Sequence, residues 1–157
     1  MTLDDQSVSE AIFHPRGEYP GYSPLGTRTE TVCRGAVVGG YLHENRASDA
    51  LLIFFHGNGE TAADYDDIAS LFLDCGVSFW VADYRGYGRS TGVPAFSHML
   101  RDAEAVLDDV PRLARDIGRR FRHVLVMGRS LGSAPAIHLA ATRSNSLAGL
   151  ILDSPFA

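Results

Sequence analysis

The sequence predicts an α/β domain: a mostly parallel sheet with helices on both faces, opened by an N-terminal antiparallel hairpin. Three observations carry this expectation. From residue 50 onward, short apolar runs alternate with stretches of helical periodicity, as in parallel strands buried on both faces by their crossover helices. Glycine-rich turns directly follow two of those runs. The composition is that of one globular domain, with 157 residues, 45% hydrophobic and 21% charged.

The elements follow in order. Residues 1–27 hold Pro15, Pro20 and Pro24 together with Gly17, Gly21 and Gly26, and read as an irregular surface arm. The domain proper is taken as 28–157. Residues 29–33 and 36–42 are β-rich and separated by Arg34-Gly35, which predicts a hairpin with a tight turn. Residues 51–55 form the first buried strand. A helix is expected over 61–74, where Tyr65, Ile68, Ala69 and Phe72 are spaced three or four apart. Residues 77–82 are the next strand. Over 99–117 one apolar face is continuous, with Pro111 expected to kink or split the helix. A strand at 124–127, a helix at 130–143 that tolerates Pro135 near its first turn, and a strand at 147–152 complete the series.

The charge balance excludes several function classes. Nineteen acidic residues against fourteen basic ones leave a net charge of −5, so no nucleic-acid partner is expected. Every basic residue is Arg, which removes Schiff-base, Ser-Lys and phosphate-loop lysine chemistry. Cys33 and Cys75 lie far apart and suggest neither a disulfide framework nor a cysteine zinc site. No apolar run is long enough to span a bilayer and the first residues are acidic and polar. The chain is therefore read as soluble and cytoplasmic.

The chemistry-bearing segment is Gly128-Arg129-Ser130-Leu131-Gly132. It fits G-x-S-x-G between an apolar strand and a helical pattern, the context in which a serine is lifted above a sheet on a sharp turn. Such a turn crowds the backbone, and glycines two positions to either side relieve it. The following helix N-terminus favours developing negative charge. Taken alone, Ser130 could equally be a helix cap. A second segment, Phe55-His56-Gly57-Asn58-Gly59-Glu60, also ends an apolar strand and can point its amides into the same crevice.

The set FFHGNGE, DYRGYGRSTG (residues 83–92), GRSLGSAPA (128–136) and LILDSPF (150–156) resembles the α/β-hydrolase superfamily, and within it the Bem46-like intracellular serine hydrolases. The resemblance runs from about the hairpin to the last residue. It implies an α/β-hydrolase fold with Ser130 as nucleophile and an oxyanion hole made by the backbone N–H groups of Leu131 and Asn58. One such donor is worth roughly 3 kcal/mol in other enzymes. It also places His56, Gly57 and Arg129 on the substrate side of the crevice, His56 as loop organiser rather than base. The substrate would be a small or acylated molecule carrying an ester, thioester or amide. No cofactor and no metal are implied, because the covalent route needs neither.

Half of the apparatus is not in view. The family order is Ser, then Asp or Glu, then His, and no His follows His138. Asp153 at the end of the last strand is a candidate acid, which still leaves the base to be supplied. The last strand is apolar on both faces and would present a sticky edge. The chain is accordingly expected to be the N-terminal portion of a longer hydrolase, lacking the C-terminal strands, and to self-associate through that edge. Other polar groups read as structural: the 83–92 segment as a strand end and glycine-rich loop rather than a pocket wall, Asp64, Asp66 and Asp67 as a solvated face, the arginines 112–122 as partners of a helix C-terminus, and His138 as a core or edge histidine.

Two alternatives stand beside this reading. Residues 57–62 also fit G-x-G-x-x-A, and Asp83 ends the next strand, as in a dinucleotide-binding oxidoreductase. Glu60 and the nearby aspartates would repel a pyrophosphate, and that reading leaves the GRSLG turn unexplained. A non-catalytic binding module of the same fold accounts for the incomplete triad but has no need of the two loops.

Overall fold

The apolar runs become one six-stranded sheet in the computed structural model, which describes residues 2–155. Phe156 of the LILDSPF run and Ala157 at the end of the 28–157 unit lie outside the described residues, as does Met1 of the arm. Strands β1 (Thr27–Cys33) and β2 (Ala36–His43) form the expected hairpin, with Gly35 taking the left-handed turn position at φ +79°. β2 continues antiparallel onto β4 (Ser78–Ala82). β3 (Ala50–Phe55) lies parallel between β4 and β5 (His123–Arg129), and β6 (Gly149–Asp153) lies parallel beside β5. The order is β1-β2-β4-β3-β5-β6.

Side-chain alternation explains why the strands read as unbroken apolar runs. Leu51, Ile53 and Phe55 enter one core, beneath helices α3 (Phe96–Asp116) and α4 (Ser133–Thr142). Leu52 and Phe54 enter a second core on the opposite face, under a 3₁₀ segment (Ala62–Ile68) and helix α2 (Ala69–Asp74). A strand buried on both faces has no polar position to spare. In the second core the Phe72 and Phe79 rings stack at 3.9 Å.

Four expectations need correction. The arm is not irregular throughout: Gln6–Ile12, free of Pro and Gly, forms helix α1 and drives Phe13 into the first core at 3% exposure. Residues 61–74 are not one α-helix, because Thr61 and Asp64 close a capping box over a 3₁₀ segment before α2 begins. Within that segment Asp66 is not solvated. It is 6% exposed, accepts hydrogen bonds from the Tyr22 hydroxyl and the Leu25 amide, and sits 2.9 Å from His43 Nε2. Pro111 leaves α3 continuous, since it lies on the exposed side and burdens none of the packed face.

The two sheet edges differ. β1 alternates exposed and buried positions, whereas on β6 Leu150, Ile151 and Leu152 are 39%, 42% and 38% exposed. No helix among the described residues is long and apolar enough to cross a membrane.

Candidate active site

Ser130 leaves the end of β5 at φ +49°, a left-handed conformation that costs a residue with a Cβ about 1–2 kcal/mol. The turn continues as a single 3₁₀ turn (Ser130–Gly132) into α4. Both flanking glycines are needed for space. A Cβ on Gly128 would lie 2.2 Å from the Gly132 carbonyl oxygen, and one on Gly132 would lie 1.9 Å from the Phe55 oxygen and 2.9 Å from that of His56. The serine turn is thus pressed against the end of β3, where the His56 loop begins. Phe55 and Gly128 are register partners, so the two bends leave adjacent parallel strands at their carboxyl ends. Ser130 is half-buried, while Leu131 packs into the first core. The Leu131 amide is among the N–H groups that a helix start leaves without an internal acceptor. The Asn58 amide donates to no other group among the described residues.

The structure places His56 differently from the expectation that it touches substrate. It is 0% exposed, its Nδ1 facing the Gly57 carbonyl at 2.8 Å and its Nε2 facing Asp83 Oδ1 at 3.2 Å. Its own carbonyl accepts from the Tyr84 hydroxyl at 2.6 Å. Asp83 in turn accepts from the Ala62 amide at 2.8 Å, so the residue that opens the 83–92 loop is the anchor of the His56 loop. Gly57 is also withdrawn from the crevice. It is buried, and its amide donates to Glu60 Oε2 at 2.7 Å. The same carboxylate oxygen accepts from the Tyr65 hydroxyl at 2.6 Å, and burial pushes that phenol well above its ordinary range.

Arg129 lies at the rim, half-exposed, between Glu60 Oε1 and Asp153 Oδ2, each 3.7 Å from its Nε. The Glu60 carboxylate is the main reason its guanidinium is held even more firmly in the charged form. Asp153 stands opposite Arg129 in the β5–β6 register and accepts from the Ser154 hydroxyl at 3.0 Å. His138 turns the other way and meets Glu104 of α3 at 2.6 Å. Among the described residues no hydrogen bond or ion pair joins a histidine to Ser130 or Asp153. Of the expected site residues, Ser130 and Leu131 lie on the turn pressed against the end of β3, Asn58 lies on the loop that leaves that strand, Arg129 and Asp153 pair beside the turn, and His56 and Gly57 are buried. Sequence reasoning missed the roles of Glu60, which holds the Gly57 amide, and of Tyr87, whose hydroxyl donates to Asn58 Oδ1 at 2.7 Å. The Tyr-Arg-Gly-Tyr-Gly run was the available signal for the latter.

Comparison with known proteins fits this geometry. Residues 46–157 match the family model described as serine aminopeptidase, S33. Protein bem46 of Schizosaccharomyces pombe is 30% identical over 114 residues, covering 72% of this chain and 37% of that protein. Human monoglyceride lipase is 33% identical over 110 residues, covering 68% of this chain and 35% of the lipase. The chain thus spans little more than a third of the length of these curated relatives. A solved esterase from Pyrococcus furiosus shares the fold with a TM-score of 0.71 and 21% identity, over 90% of this chain and 57% of the esterase. With the model matched over most of its residues and the fold shared, this chain belongs to the serine aminopeptidase S33 family of α/β hydrolases and is Bem46-like.

Proposed function

We propose that the chain carries the nucleophile and oxyanion hole of a serine hydrolase that cleaves carboxylic esters, thioesters or amides through an acyl-enzyme. The observation that carries this reading is the contact of Gly132 with the Phe55 carbonyl, which brings the serine turn against the loop holding the Asn58 amide. Ser130 Oγ attacks the carbonyl carbon of a small or acylated substrate. The carbonyl oxygen takes up the electron pair and is held by the Leu131 and Asn58 N–H groups, aided by the positive end of α4. Collapse of the tetrahedral adduct expels the alcohol, thiol or amine, and water then hydrolyses the ester on Ser130. The proton from Ser130 needs a general base, and no histidine among the described residues is bonded to Ser130: His138, on the helix that follows it, is held by Glu104. Asp153, at the end of the strand beside β5, is tied to Arg129 rather than to an imidazole. The cysteines, Cys33 buried and Cys75 exposed, are both unpaired and support a reducing, cytoplasmic setting.

The test is prolonged exposure of the chain to a fluorophosphonate at mildly alkaline pH, with the adduct located by mass spectrometry. Trypsin cuts after Arg129 and Arg143, so the expected adduct falls on one peptide, residues 130–143. Fragmentation places it on Ser130 or Ser133. Oxyanion stabilisation and binding alone leave about 10³–10⁴-fold acceleration in triad-depleted enzymes, so slow labelling is expected without the base. Labelling that persists in Ser130→Ala refutes the assignment.

A further inference from the structure

Asn58 is a loop residue whose side chain is more heavily engaged than its position requires. Its Oδ1 accepts from the His14 amide at 2.9 Å and from the Tyr87 hydroxyl at 2.7 Å. Its Nδ2 donates to the Ile12 carbonyl at 2.5 Å and to His14 Nδ1 at 3.0 Å. A primary amide has two donor hydrogens and two acceptor lone pairs, and all four are used. The partners fix which end is which, because the Ile12 carbonyl can only accept and the His14 amide can only donate. The neighbouring Gly59 carbonyl accepts from Arg16 Nε at 3.1 Å, and Arg16 pairs with Asp64 beyond the loop. On its far side the same segment accepts the Gly88 amide at the Arg16 carbonyl, 2.8 Å away.

We infer that residues 12–16 are a brace for the oxyanion loop, gripping it through the Asn58 side chain and so fixing the direction of the Asn58 backbone N–H. The inference deepens the hydrolase reading and rests on it for its catalytic consequence. Asn58 contributes twice, its backbone N–H free of any other acceptor among the described residues and its carboxamide locked to a segment more than forty residues earlier in the chain. His14 and Tyr87 are positioning residues that act through it. The chemistry demands this rigidity: an oxyanion donor works by being in place before charge develops, and a displacement of about 1 Å costs on the order of 10²-fold in rate.

Asn58→Asp tests the brace, because it keeps the backbone N–H and side-chain shape but sets a carboxylate oxygen against the Ile12 carbonyl. Two measurements are made on the full chain. Amide hydrogen exchange within residues 57–60, read at the bonded Gly57 and Glu60 amides, is expected to accelerate at least tenfold, with β3 and β5 amides unchanged, and Tyr87→Phe to shift it less in the same direction. The maximal fluorophosphonate inactivation rate is expected to fall at least tenfold at an unchanged half-saturating concentration, a split that mere loss of folded protein does not produce. Unchanged exchange at 57–60 overturns the brace whatever the labelling does. A wild-type chain with protected loop amides and no Ser130 adduct overturns the hydrolase reading, while the exchange arm still decides the brace.

Discussion

Gly132→Ala asks most directly whether the serine turn and the His56 loop are truly in contact. Gly132 has an ordinary helical φ of −64°, so alanine there carries no backbone penalty, and the whole effect is one of space. The added Cβ would lie 1.9 Å from the Phe55 oxygen, where real Cβ atoms do not come within 3.0 Å, so the turn and the strand end must separate by about 1.1 Å. The obstacles are backbone atoms on both sides, and no rotamer change relieves them. Overpacking of a filled core costs roughly 1–3 kcal/mol, and the rigid surroundings put this case near the upper end. With a urea m-value of about 2 kcal/mol per M, the unfolding midpoint should fall by roughly 1–1.5 M. The separation of the two amide donors should slow fluorophosphonate labelling by on the order of 10²-fold. Gly149→Ala is the control, because its Cβ meets only Leu125 Cδ2 at an ordinary 3.6 Å. That control should stay within about 0.5 kcal/mol of wild type. A Gly132→Ala protein with the wild-type midpoint and labelling rate would refute the contact, and with it the shared crevice.

Two further outcomes follow from the same structure. Burial outweighs the attraction of Asp66 and lowers the His43 pKa below its ordinary 6.5, so the unfolded chain binds that proton more tightly than the folded one. Stability is therefore complete above about pH 6.5 and declines as pH falls through the window below it. His43→Gln should flatten that part of the decline in urea midpoints measured between pH 7.5 and 5.5, and an unchanged slope would exclude His43 as its source. At the β6 edge, Leu150, Ile151 and Leu152 should make the chain self-associate as its concentration rises. Ile151→Lys should return it to a 17.0 kDa species in sedimentation velocity, and a wild-type chain that is monomeric at every concentration would refute the edge as an assembly surface.

The strand framework was legible because each central strand uses both of its faces. Leu51, Ile53 and Phe55 on one side and Leu52 and Phe54 on the other leave an apolar run that no amphipathic helix would show. The serine turn was legible for a similar reason, since two close approaches at Gly128 and Gly132 demand glycine at fixed spacing. What escaped depends on partners distant in the chain. Asp66 looks like one of three surface aspartates until Tyr22 and Leu25, more than forty residues earlier, supply donors for it. His56 looks accessible until Asp83 and Tyr84 close over it. The grip of Asn58 on Ile12 and His14 has no local signature, because asparagine beside glycine is also ordinary turn chemistry.

The position of β3 also sets a timetable for synthesis. It pairs on one side with β4, which follows soon, and on the other with β5, whose register partner for Ala50 is His123, 73 residues later. At about 5–20 residues per second, a ribosome leaves that second flank bare for roughly 4–15 s. During this interval the most apolar strand of the nascent chain offers an open row of peptide groups to any trigger factor or holdase at the exit tunnel. Arrival of β5 ends the exposure of β3 and delivers Ser130 in the same event, so pairing the second flank of β3 and setting the serine turn against the His56 loop are one step of maturation.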